Sequence, residues 1–162
     1  MKIKWGLIVL CFLCTLGLTS CTGYNNIMYE HLSDIENYKI YEAKIEQIYI
    51  FNDETKKFEE YNSAVPGESS AGAVYFDIST EDTNSLIRLK VTADNNKLLL
   101  DNGFYNDFQI GDSVEMQASD WIYMDTDFFY VIGVTYEGVQ YLSSADGLKN
   151  IVDMMDDDRS LF

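Results

Sequence analysis

The chain has 162 residues and carries 27 acidic against 11 basic side chains, a formal net charge of −16. That balance excludes the basic footprint that nucleic-acid binding needs to displace counterions, and the one doublet, Lys56-Lys57, sits amid acidic neighbours. A single histidine, His31, leaves a histidine-based triad one candidate base, and the abundance of Tyr, Phe, Val and Ile favours strands over helices.

The first twenty residues stand apart from the rest. Lys2 and Lys4 form a short positive start, and Leu7 to Leu18 is an apolar run of signal-peptide length, too short to span a bilayer comfortably. The run closes with Leu18-Thr19-Ser20-Cys21, which resembles the lipobox of bacterial lipoproteins: an aliphatic residue, two small residues, then the cysteine that takes lipid. Cys11 follows Leu10 and Cys14 follows Leu13, so neither has the small residue that cleavage requires. The resemblance implies that residues 1–20 are a cleaved signal peptide and that Cys21 bears the lipid, palmitate included, as the first mature residue. It places the protein on the extracytoplasmic side of the cell membrane, or in an outer membrane if the organism has one. Thr22 lacks the aspartate that signals inner-membrane retention. The competing readings are an ordinary secretory signal cut near Ser20 and an uncleaved anchor.

With residues 1–20 and Cys21 so used, no thiol is left for a disulfide or a thiolate metal site, and an exported domain must rely on its core. The 142 remaining residues make one domain. They keep 9 basic and 27 acidic residues, a net charge of −18, so an anionic membrane surface repels them and lipid alone holds them there. Residues 21–26 read as a lipidated tether, whose flexible part reaches on the order of 12 Å.

In chain order, Ile27, His31, Leu32 and Ile35 fall at helical spacing after Asn25 or Asn26 as N-cap, with Asn37 as the end. His31 reads as structural. Tyr38 to Phe51 is a long strand whose apolar positions, Tyr41, Ala43 and Ile45, shift phase to Ile48 and Ile50, the mark of a bulge. Asn52 to Gly72 is a polar loop with a short strand at Lys57 to Tyr61. Ala73 to Ser79 and Leu86 to Thr92 are strands, the second with Ile87, Leu89 and Val91 inward and Arg88 and Lys90 outward. Lys97 to Phe108 reads as a packed connector with a helical turn. After a turn at Gln109-Ile110-Gly111-Asp112, Val114, Met116 and Ala118 alternate in a half-buried strand. Phe128 to Tyr136 and Val139 to Leu142 form a hairpin about Glu137-Gly138. Leu148, Ile151, Val152 and Met155 then make the apolar stripe of a C-terminal helix capped by Ser143 or Ser144. Asp156, Asp157 and Asp158 oppose the helix dipole, so fraying at Met155 and an acidic tail, 156–162, are expected.

This order defines a mainly β, β-rich α+β domain over 27–155. From Tyr38 to Leu142 it resembles the OB-fold, a small barrel of five to six strands, here with a short N-terminal helix and an amphipathic C-terminal one. An SH3-like barrel or a twisted sheet with flanking helices is the runner-up.

One loop concentrates chemistry. Trp121 and Tyr123, followed by Phe128, offer rings beside carboxylates that can stack a sugar or anchor a protein. Asp120, Asp125 and Asp127 supply hard oxygens for calcium, but the run lacks the EF-hand glycine and terminal glutamate and reads as a solvated loop. No cofactor is implied, and the mature chain lacks the ligands that zinc would need. The expectation is therefore a non-catalytic, lipid-anchored binding domain that meets an envelope protein. A glycan- or peptidoglycan-binding lipoprotein is the alternative, and a carboxylate-based hydrolase the third reading.

Overall fold

The computed structural model describes residues 26–52, 55–61, 72–80, 86–119 and 128–160. Seven strands form one sheet: β1 (Tyr38–Asn52), β2 (Lys57–Glu60), β3 (Val74–Ser79), β4 (Ile87–Val91), β5 (Ser113–Ser119), β6 (Phe128–Tyr136) and β7 (Val139–Leu142). The sheet runs β2-β1-β3-β4-β6-β5, and β5 returns to pair with β1. Strands β1, β3, β4, β6 and β5 thus close into a barrel, with β2 and β7 outside it. All pairs are antiparallel except β4 with β6. A closed five-strand barrel with that crossover is OB-fold-like.

β1 makes closure possible. Its first half, Tyr38 to Lys44, pairs with β5, and its second half pairs with β3 and β2. The register breaks between Ile45 and Gln47, and that bulge turns one strand between two faces. It lies where the apolar phase shift places it.

The barrel is filled by alternate residues of each strand, among them Ala43, Ile45, Ile48, Val74, Phe76, Ile78, Leu89, Val91, Val114, Met116 and Val131. Phe104 lies under the barrel mouth, stacked on Phe108 at 5.0 Å and edge-on to Tyr141 at 5.4 Å. At the β6–β7 turn both Glu137 and Gly138 have positive φ, 50° and 79°, as a two-residue type I′ hairpin requires.

The segment read as a connector is two helices, α2 (Ala93–Asp101) and α3 (Phe104–Asp107). Thr92 caps the first by accepting from the Asn95 amide. Asn95 and Asn96 are weak helix formers, which hides the helix from its pattern, but both are buried and spend their amides on neighbouring elements.

A second apolar cluster coats the outside of the barrel. Leu32, Tyr38, Ile132, Ile151 and Met155 form it, joining the N-terminal helix α1 (26–32) to the C-terminal helix α4 (Ser144–Ser160). The face of α1 differs from the expected one: Leu32 is buried with Met28 and Tyr29 packed nearby, whereas Ile27 and Ile35 are exposed. Asp34 accepts from the Glu36 amide and starts a 3₁₀ turn, Ile35–Asn37, which takes Ile35 off the helical register. His31 is half-buried, and its carbonyl accepts from Asn37 Nδ2 at 2.9 Å. α4 also runs on past Met155 to Ser160, where a stop at Asp156 was expected. The anchored stripe above carries the backbone through another turn, and an unfavourable dipole contact costs less than about 1 kcal/mol per charge.

Among the described residues, no helix is long and apolar enough to cross a membrane.

Candidate functional site

The residues singled out for chemistry fall largely beyond the described structure. Cys21 and the rest of the lipobox, the 21–26 tether up to residue 25, and Asp120, Trp121, Tyr123, Asp125 and Asp127 lie outside the described residues. Residues 120–127 stand between β5 and β6 in the sequence. Phe128 opens β6, directly opposite Arg88 in the parallel β4–β6 pairing.

What the structure assembles instead is the outer face of β2, β1, β3 and β4. In β3, Val74, Phe76 and Ile78 face the core, so Tyr75 and Asp77 face out. In β4, Leu89 and Val91 are core residues and Arg88 and Lys90 face out, as their alternation predicts. The register then aligns rows across the face. One row runs Glu60, Tyr49, Tyr75, Lys90, Tyr130, and the next runs Gln47, Asp77, Arg88, Phe128. Phe51 pairs with Phe58 at the β1–β2 end.

Arg88 organises these rows. Its Nε donates to Asp77 Oδ1 and its Nη2 to Asp77 Oδ2, each at 2.6 Å, a fork that fixes the guanidinium plane. The side chain reaches across Asp77 toward β1 and β2, where its carbon lies 4.7 Å from the Tyr49 ring centre and 5.0 Å from that of Phe58. Phe58 in turn meets Tyr75 edge-on at 4.8 Å and Phe51 at 5.2 Å. Tyr75 and Asp77 are therefore buried although they point away from the core: Phe58 and Arg88 lie over them. Lys90 Nζ sits 5.2 Å from the Tyr130 ring centre, and Tyr49 donates its hydroxyl to Gln47 Oε1 at 2.7 Å.

The electrostatics follow from the contacts. The two hydrogen bonds to Asp77 raise the Arg88 pKa further, so the guanidinium charge is permanent. Asp77 has its carboxylate committed to that one partner. The face offers two cations, a neutralised carboxylate and ring surfaces, with Phe51 and Phe58 more than a third exposed at its rim. Its contacts combine a fixed guanidinium with aromatic rings. Among the described residues, no group of three or more His, Cys, Asp or Glu side chains is placed to hold a metal ion.

Sequence reading put Arg88 and Lys90 outward but did not connect them with Tyr49, Phe51, Phe58 or Tyr75, which lie on three other strands. The available signal was aromatic rings at the outward positions of alternating strands, where polar residues are the rule.

In comparison with known proteins, no family model, no curated protein and no solved structure matches the chain.

Proposed function

We propose that this protein is a lipid-anchored, non-catalytic binding domain of the bacterial cell envelope, tethered through Cys21 on the extracytoplasmic side, with the outer β2-β1-β3-β4 face as its binding surface. The observation that carries the reading is the Tyr49–Arg88–Phe58 cluster: a charge fixed between rings on the sheet surface that OB-fold barrels commonly present to ligands. Core burial does not account for it, since these residues are absent from the barrel interior. Trp121, Tyr123 and Phe128 stay among the proposed binding residues, and Phe128 stands opposite Arg88 in the β4–β6 register. The net negative charge keeps nucleic acid from being its ligand.

Glycan binding is favoured over capture of an envelope protein by one feature. β1, β3 and β4, which carry Tyr49, Tyr75, Asp77, Arg88 and Lys90, are each paired on both sides, so an extended peptide finds an open backbone ladder only at the outer edge of β2. The test is sedimentation of the full chain, in detergent, with envelope glycan stripped of lipid and protein. Wild type is expected to sediment with the glycan and Phe58→Ser to stay in solution with its thermal midpoint within a few degrees of wild type. Equal sedimentation of both proteins, or of neither, contradicts the glycan reading.

A further inference from the structure

We infer that Arg88 is a pre-oriented anchor for a carboxylate, and that the ligand of the outer face is a saccharide bearing carboxylate groups; the inference rests on the face being the binding surface. A guanidinium carries five N–H donors in a rigid fork. Asp77 takes one from Nε and one from Nη2. Of the three that remain, one on Nη1 and one on Nη2 form the end edge turned away from Nε and the second on Nη1 points along the Cδ side, and none meets an acceptor among the described residues. That edge is itself a two-pronged donor with the spacing of a carboxylate.

Two features make it an anchor as well as a surface charge. The plane is fixed before a ligand arrives, by the fork to Asp77 and by the Tyr49 and Phe58 rings, so the rotamer entropy that an arginine ordinarily loses on binding is already spent. The side chain is nevertheless 28 % exposed, which leaves its outer edge within reach of solvent.

Charge then narrows the ligand. In a chain with 27 acidic and 11 basic residues, β4 sets Arg88 and Lys90 two positions apart on one face, and Asp77 cancels one of the two charges. With Glu60 at the β2 end of the Tyr49 row, the face as a whole balances two cations against two carboxylates, which suits a ligand whose isolated carboxylates meet Arg88 and Lys90 and disfavours a dense polyanion. β1, β3 and β4 are paired on both sides, which leaves peptide addition only the outer edge of β2, whereas the exposed rings of Phe51 and Phe58 match the flat C–H face of a sugar ring.

The experiment is a calorimetric titration of the full chain in detergent with trigalacturonate, with its methyl ester, which keeps the rings and removes the charges, and with triglutamate. The variants are Arg88→Lys, Lys90→Gln and Phe58→Ser, each checked for an unchanged circular-dichroism melt. Trigalacturonate is expected to bind wild type. Loss of the charge-assisted fork, by esterification or by Arg88→Lys, is expected to weaken binding at least about tenfold. Lys90→Gln should weaken it severalfold and flatten its salt dependence, which decides the matter if Arg88→Lys fails to fold. Equal binding of ester and acid, or of wild type and Arg88→Lys, overturns the anchor. Tighter binding of triglutamate than of trigalacturonate overturns the saccharide class. If no carboxylate ligand binds while Phe58→Ser still abolishes sedimentation with envelope glycan, the inference falls and the face remains. If Phe58→Ser has no effect in either assay, the face falls too.

Discussion

Asn95 is fully buried, and every polar atom of its side chain is engaged. Its Nδ2 donates to the Val131 carbonyl at 3.0 Å and to the Gly147 carbonyl at 3.2 Å, and its Oδ1 accepts from Asn150 at 2.9 Å. One side chain thus ties α2 to β6 and α4. Asn95→Leu keeps the branching but strands two buried carbonyls, and it should cost about 2–3 kcal/mol in urea denaturation. The tyrosines set a second constraint at this scale. The hydrogen bond to Asp112 pushes Tyr136 up to about 12, the hydrogen bond to Asp107 raises Tyr141, and burial raises Tyr38 and Tyr105. A tyrosine ionises near pH 10 in an unfolded chain, so each raised phenol contributes its full stability below about pH 10. That contribution is lost as pH climbs toward the folded value. Urea midpoints should fall between about pH 10 and 12, and phenolate absorbance should rise in a late step coincident with unfolding; a single step near pH 10 with the fold intact would contradict the assignment.

Among the elements, α4 is held closest. A Cβ at Gly147 would lie 2.0 Å from the Ile132 carbonyl oxygen, so glycine is required where the helix crosses β6. Gly147→Ala must lift the helix off the strand and is expected to lose about 2 kcal/mol or more, with Ile151 and Met155 loosened first. Normal stability in a thermal melt would show that the crossing is wider. Elements were legible in proportion to how far apolar period and packing agree. β1 announced its bulge because the shift from Ile45 to Ile48 is the bulge, and Glu137-Gly138 announced its hairpin. α2 was not legible, because Asn95 takes a core position through hydrogen bonds that span 36 and 52 residues and Asn96 through one that spans 24. α1 was legible as a helix but not in its facing, since Asp34 breaks the register one residue before Ile35.

At the scale of the molecule, the barrel order was legible and the face was not. The closed order follows from strands whose cores alternate cleanly, whereas the Arg88 cluster is assembled from positions 49, 58, 77 and 88, which meet only after β1 has bent and paired. Trp121 and Tyr123 stood out because they lie two positions apart in the sequence. The N-terminal helix packs against α4 on the outside of the barrel, so a lipid at Cys21 would hold the domain by that side.

The proposal that a lipid on Cys21 keeps this barrel at the membrane is tested most directly by intact mass and membrane fractionation of the full expressed chain beside Cys21→Ala. The expected result is a membrane-bound wild type that begins at Cys21 with a lipid-sized mass increment, and a variant without that increment. Release of both proteins, or retention of residues 1–20 by the wild type, would contradict it.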